Sequence, residues 1–428
     1  MALTGRTALV ALLGALLAPL GPGWLAGLTG LLAAGVLVDL ALAGRIADLR
    51  LARSGATTTR LGETVTVTLL VGNAGRRRAR GVLRDAWVPS AGASPRVHRL
   101  DVPAGQRRRL ACTLTPTRRG DRTAARVTVR LSGPLGLACR QRRHAVPWSV
   151  RVLPPFTSRK FLPEKLARLR ALDGAVTVTR RGQGTEFDSL REYVMGDDVR
   201  SIDWRATARR GEVVVRTWRP ERDRRLVCVL DTGRTSAARV GDTPRLDAAL
   251  DACLLLSAVA ARAGDRVDLL AADDVVRARV TGLTRAEVLP RLVDAMAALE
   301  PTLIESDPGL IVSEVLRQER KRCLVVWFTA LDAAPVEFGL LPALGPLTAR
   351  HTVLVASVGD PAVSALATGR GDAAGVYGAA AAERALADRR RVTATLRRRG
   401  VLVVDEPADV FASRVTDAYL GLKAAGRL

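Results

Sequence analysis

The sequence predicts three parts in order: an N-terminal transmembrane helical hairpin (1–46), an all-β sandwich (56–155) and a doubly wound α/β domain (222–428), joined by a linker segment (156–221). Three observations predict this. The first 44 residues carry only two charges, Arg6 and Asp39. Between about 56 and 155 apolar residues alternate with polar ones at period two. Beyond 222, short β-branched runs alternate with segments of helix length. A chain of 428 residues, 48% hydrophobic and 25% charged, has the length for two to three buried cores and the composition of a folded protein with some membrane-inserted length.

The apolar run 7–20 is broken by Gly21-Pro22-Gly23, and a second run covers 24–43. Twenty helical residues reach about 30 Å, the depth of a hydrocarbon core. Arg6 before the pair and Arg45, Arg50 and Arg53 after it predict that both ends face the cytoplasm. The rival reading is a cleaved signal peptide. Asp39 falls near the cytoplasmic end of the second helix, where its carboxylate is expected to reach the interface.

In the next part, 64–71, 108–114 and 125–131 read as strands, with Val65, Val67 and Leu69 on one face. Turn clusters such as Gly72-Asn73-Ala74-Gly75 separate them, and an antiparallel sandwich of about seven strands is expected. A linker at 152–156 and a charged helix at 163–172 follow. The last part reads as strands at 225–230, 266–271, 274–280, 322–328, 352–358 and 401–404. Between and after them come helices at 244–263, 285–299, 307–318, 379–398 and 408–422.

Two bulk features bear on function. The net charge is +24, yet only four of the 66 basic residues are lysines, and the chain is rich in Ala, Gly, Val and Leu. That skew is one that GC-rich codons produce, and with 4% aromatic residues on which bases could stack no nucleic-acid partner is expected. The five cysteines form no C-x-x-C pair, and Cys228 and Cys323 lie in apolar strand-like runs, which favours a reducing compartment; a Cys112–Cys139 bridge is the alternative.

The densest interleaving of charged, aromatic and glycine residues is at 182–221. Here Asp197 and Asp198 are expected to cap a helix carrying Val199, Ile202 and Ala206 on one face, Gly211 to end it, and 213–218 to form a strand. Arg191, Tyr193, Gly196, Asp197, Arg200, Ile202, Asp203, Trp204, Ala208 and Arg209, at these spacings, resemble the signature of the bacterial domain of unknown function 58 family. The resemblance implies a membrane protein whose α/β domain is similar to von Willebrand factor type A domains, commonly associated with a MoxR-type AAA+ ATPase.

By the same resemblance, the loop after the 225–230 strand would bind a divalent metal such as Mg²⁺, since hydroxyl and carboxylate oxygens are its ligands. Asp231 and Thr235 match in type, but Gly233 stands where a serine ligand is expected. After the 322–328 strand Ala330 occupies the expected aspartate position, with Asp332 two residues on. Thr281 and Thr284 are the loop-threonine candidates. The expected metal set is therefore Asp231, Thr235 and Asp332, and the expected partner-docking set is Arg191, Tyr193, Asp197, Asp198, Arg200, Asp203, Trp204 and Arg209.

No phosphate-binding G-x-x-x-x-G-K-[ST] loop, G-x-S-x-G elbow or H-E-x-x-H pair occurs. The reading that the resemblance implies is a non-enzymatic adaptor or assembly factor in the cell membrane, with two spans and most of the chain cytoplasmic, docking a MoxR-type AAA+ ATPase and other proteins. The alternative is a membrane-bound, metal-dependent hydrolase using Glu186, Asp188, Glu192, Asp197, Asp198 and Asp203. Against it, Arg180, Arg181, Arg191, Arg200, Arg205, Arg209 and Arg216 are enough to pair those carboxylates.

Overall fold

The computed structural model describes residues 2–16, 21–179, 186–219, 224–282, 284–369 and 371–428. The end of the first apolar run (17–20), Arg180, Arg181, the start of the 182–221 stretch (182–185) and its end (220–221) lie outside the described residues. The chain divides into two compact units, Met1–Pro155 and Phe156–Leu428.

The first unit opens with helices Gly5–Ala15 and Pro22–Leu42. Pro22 takes the first helical turn, where a missing N–H leaves no bond unmade. Among the described residues only the second helix is long and apolar enough to cross a membrane. The first, with 11 residues, reaches about 16 Å, half a hydrocarbon core, so two full spans are not found. Asp39 also departs from expectation. It is fully buried, and its carboxylate accepts from the backbone amides of Leu135 (2.8 Å), Leu137 and Ala138 (3.1 Å). The loop between two strands offers amides that no ladder uses, and the helix supplies the anion that satisfies them. Gly133 makes room, since a Cβ there would lie 2.4 Å from the Asp39 Oδ1.

The rest of this unit is a β-sandwich with more strands than the seven expected. One sheet is four-stranded, in the order Leu49–Gly55, Val65–Asn73, Arg107–Leu114 and Ala93–Ser94. The other is seven-stranded and centres on the long strand Gly120–Ser132, which pairs with Ala138–His144, Ala79–Trp87 and Ser149–Leu153. Val67, Leu69 and Val71 point inward from one strand, and Val127, Val129 and Leu131 from another. Each such side chain contributes about 1.5–3 kcal/mol on full burial.

In the second unit the strands Glu186–Glu192 and Val214–Arg219 form an antiparallel hairpin, with Ile202 bridged to Val215. The segment between them holds a single 3₁₀ turn, Val199–Ser201, and a helix only at Trp204–Arg210. The expected helical face of Val199, Ile202 and Ala206 therefore does not form. Asp203 starts the helix instead, its carboxylate accepting from the amides of Arg205 (3.1 Å) and Ala206 (3.0 Å), while Asp198 caps the preceding turn. Gly211 ends the helix in the left-handed region, φ 76°.

The main sheet of this unit runs Val276–Val280, Arg266–Ala272, Arg225–Asp231, Leu324–Phe328, Thr352–Gly359, Leu402–Pro407. Five strands are parallel and the first-named is antiparallel to its neighbour. Arg225–Asp231 is central, and every residue from Leu226 to Leu230 is at most 1% exposed, because helices cover both faces. On one face Trp327 joins Val227, Val229 and Val355. Phe328 meets Phe411 edge-on, with ring centroids 6.3 Å apart. The chain leaves the central strand first to one side and later returns to the other. The carboxyl ends of Arg225–Asp231 and Leu324–Phe328 therefore flank a topological switch point, where open α/β sheets present a crevice.

Candidate functional site

At that crevice the central strand ends on Asp231, 5% exposed. Its Oδ1 accepts from the Gly233 amide (2.9 Å) and from the Ser306 hydroxyl. Its Oδ2 accepts from the hydroxyls of Thr329 (2.6 Å) and Thr235 (3.4 Å). Thr329 follows the neighbouring strand, in which Phe328 is in register with Leu230, so Asp231 and Thr329 emerge side by side. Ser306 arrives from a loop that hydrogen-bonds back through the Arg234 amide to the Ile304 carbonyl (2.8 Å).

A second buried carboxylate braces these loops. Asp273 accepts from Thr232 (3.1 Å), Thr302 (2.9 Å), the Val275 amide (3.1 Å) and the Arg277 guanidinium (2.8 Å). Burial alone would raise its pKa, but the guanidinium and the other donors outweigh burial and hold it well below the usual carboxylate range.

Asp231 forms the floor of a cavity of about 380 Å³. Pro308, Trp327, Pro335, Val336, Phe338 and Leu340 give it an apolar wall, and Arg234 and Glu305, paired with each other, stand at its rim. The Pro335–Leu340 wall is a turn of π-helix, a form that recurs at functional sites. Phe338 is 82% exposed, with Leu303 at 81% and Ile304 at 46% in the rim loop.

Of the expected metal set, Asp231 and Thr235 meet. Asp332 does not join them: its carboxylate faces Arg245 (3.4 Å) and a separate cavity, because the two-residue offset after the strand carries it past the crevice. Thr284 is also elsewhere, bonded to Glu287 at the start of its own turn. Ser306, Thr329, Asp273 and Thr302 were not among the expected residues. Thr329 could have been found, since it directly follows a predicted strand; no local pattern marks Ser306.

Gly233 has a steric reason. A Cβ there would lie 2.1 Å from the Ser306 hydroxyl oxygen and 2.9 Å from the Ile304 carbonyl. The hydroxyl missing from position 233 is thus supplied by Ser306, from another loop.

This donor set does not fit a divalent metal well. It offers one carboxylate, whose two oxygens already accept four hydrogen bonds, about the full capacity of a carboxylate. One negative charge against two positive ones would leave a buried excess charge in a chain of net charge +24. Among the described residues, no three His, Cys, Asp or Glu side chains gather where they could hold a metal ion.

The expected docking residues form a separate constellation on the hairpin. Arg191 and Asp197 make a two-pronged ion pair (2.6 and 2.7 Å), and Asp197 also accepts from the Val194 amide (2.9 Å). Asp203, besides capping its helix, accepts from Arg216 (2.8 Å). Tyr193 donates its backbone amide to the Val213 carbonyl (2.8 Å). Arg200, Trp204 and Arg209 are exposed, Trp204 at 68%.

The family described as Protein of unknown function DUF58 matches residues 189–400, which take in part of the hairpin, the Asp231 crevice and most of the sheet. Uncharacterized proteins of Mycobacterium tuberculosis and Mycobacterium bovis are 27% identical over 183 residues, 42% of this chain and 56% of theirs. The chain therefore spans about half the length of these curated relatives. Among solved structures, proximal thread matrix protein 1 from the mussel byssus, with a zinc-occupied MIDAS motif, is similar over 47% of this chain and 46% of its own, at TM-score 0.26 and 11% identity. The CARDB domain of the PF1109 protein from Pyrococcus furiosus is similar over 24% of this chain and 87% of its own, at TM-score 0.18 and 14% identity. Neither likeness is close enough to carry a function across.

Proposed function

We propose that the protein is a non-enzymatic, membrane-anchored adaptor or assembly factor that holds partner proteins at the strand-end cavity and works with a MoxR-type AAA+ ATPase. The observation that carries this reading is the Asp231 cage: a cavity with an apolar wall, exposed apolar residues at its rim, and a floor whose carboxylate is already satisfied by protein donors. Such a floor has no free base or nucleophile for chemistry, while the rim suits a docking contact. In this reading the energy for remodelling comes from the ATPase.

The anchor is the Pro22–Leu42 helix, and Arg45, Arg50 and Arg53 after it, against Arg6 alone before it, favour a cytoplasmic location for the rest. The hydrolase reading loses ground, because Asp197 is held by Arg191 and Asp198 and Asp203 are used as caps. Mg²⁺, implied by the resemblance, is not required by this reading.

The test is affinity capture of the tagged full-length protein from gently solubilised native membranes, with Mg²⁺ or with a chelator. An AAA+ ATPase recovered in both conditions supports a metal-independent adaptor. Recovery only with Mg²⁺ would restore a metal at Asp231, and no ATPase in either would remove the adaptor reading.

A further inference from the structure

Resting on the docking reading, the next question is what enters the cavity. Asp231 is 5% exposed, and its contacts are three hydroxyls and one amide; among the described residues no arginine or lysine touches it. Asp197, Asp203, Asp273 and Asp405 each have a guanidinium partner, and Arg234, the nearest rim cation in sequence, is engaged by Glu305.

The hydroxyls of Thr235, Ser306 and Thr329 spend their protons on Asp231, so what they turn to the cavity is lone pairs. Behind them lies one uncompensated negative charge. The floor is therefore an acceptor surface of unit negative charge, and it repels a carboxylate unless a metal intervenes. A single cationic head matches it charge for charge, whereas a dication does not.

Above the floor, Pro308, Val336, Phe338 and Leu340 supply an apolar wall. A long aliphatic stem ending in a cation is the kind of group that packs its methylenes on such a wall while its head reaches polar atoms. We infer that the strand-end cavity receives an arginine or lysine side chain of a partner protein, its head on the Asp231 hydroxyl cage and its stem along Phe338 and Val336. A metal held at Asp231 would have the opposite polarity and would draw an anionic group of the partner.

The test uses full-length protein in detergent micelles and ligand-observed magnetic resonance with two probes, butylguanidinium and pentanoate, each with Mg²⁺ and with chelator. Butylguanidinium should bind in both conditions and pentanoate in neither. Asp231→Asn, which keeps the shape and removes the charge, should weaken butylguanidinium by at least about tenfold, the scale of one hydrogen bond to a charged group. Phe338→Ala changes an exposed side chain and leaves the cage intact; it should weaken the alkylated probe while leaving the melting temperature unchanged, and it decides the matter if Asp231→Asn does not fold.

Pentanoate binding that requires Mg²⁺ would overturn the inference, as would equal butylguanidinium binding by wild type and both variants, or no binding by wild type. The two readings fail separately. Capture of an AAA+ ATPase without butylguanidinium binding would leave the adaptor standing and remove the cation. Butylguanidinium binding without ATPase capture would do the reverse.

Discussion

At the scale of single residues, Gly233 and Asp273 make the sharpest predictions. Restoring a serine by Gly233→Ser should not create a metal site. The new side chain would collide with Ser306 and the Ile304 carbonyl, so the variant should melt lower, by about 1–3 kcal/mol as for other overpacked positions, and calorimetry should detect no Mg²⁺ binding. Asp273 titrates far below an ordinary carboxyl in the folded chain. Its contribution is then complete at neutral pH, declines from the ordinary carboxyl range downward and is gone once pH falls through that depressed value. Protection against hydrogen exchange in the 231–236 loop, taken relative to the intrinsic rate at each pH, should be full at neutral pH and fall progressively below the ordinary carboxyl range. In Asp273→Asn it should be low at neutral pH as well. Among residues expected from sequence, Asp231 and Thr235 were legible because a loop motif places both on one turn. Ser306 was not, because it lies 75 residues from Asp231 in the chain and only the fold brings the two together.

At the scale of elements, periodicity carried most of the information. The run Leu226–Leu230 is apolar on both faces because helices cover both, and it reads as a buried strand. Val65–Asn73 alternates because only one face is buried. The signature hairpin was less legible. Val199, Ile202 and Ala206 have helical spacing, but Asp198 and Asp203 each bind the amides just beyond them, and the two caps cut the stretch into a turn and a seven-residue helix. The burial of Asp39 is not legible for a related reason: a charge at a helix end looks solvated until the loop that wraps it is known. Asp39→Ala would leave three amides of the 135–138 segment without their acceptor, and should destabilise the first unit by at least about 3 kcal/mol, at about 1–3 kcal/mol for each buried group left unpaired. Limited proteolysis near residue 135 would report it, with cleavage faster in the variant. Unchanged cleavage would mean that Asp39 does not hold the loop.

At the scale of the whole molecule, cysteine chemistry reports on how tightly the chain is packed. All five cysteines are free and buried, so the alternative Cys112–Cys139 bridge is not formed. Burial pushes the Cys112 thiol up to about 11 and the Cys323 thiol up to about 12. Both are therefore protonated at neutral pH and poor nucleophiles. Alkylation of native protein should be slow at all five and complete after unfolding; rapid modification of any one in the native state would contradict this packing. The central claim is that the Asp231 cavity is a docking site that needs no metal. The most direct measurement is the amount of AAA+ ATPase captured from native membranes by wild type and by Phe338→Ala, each with Mg²⁺ and with chelator. The account predicts equal capture by wild type in both conditions and a clear loss in Phe338→Ala. Capture that vanishes with chelator, or that is the same in the variant as in wild type, would contradict it.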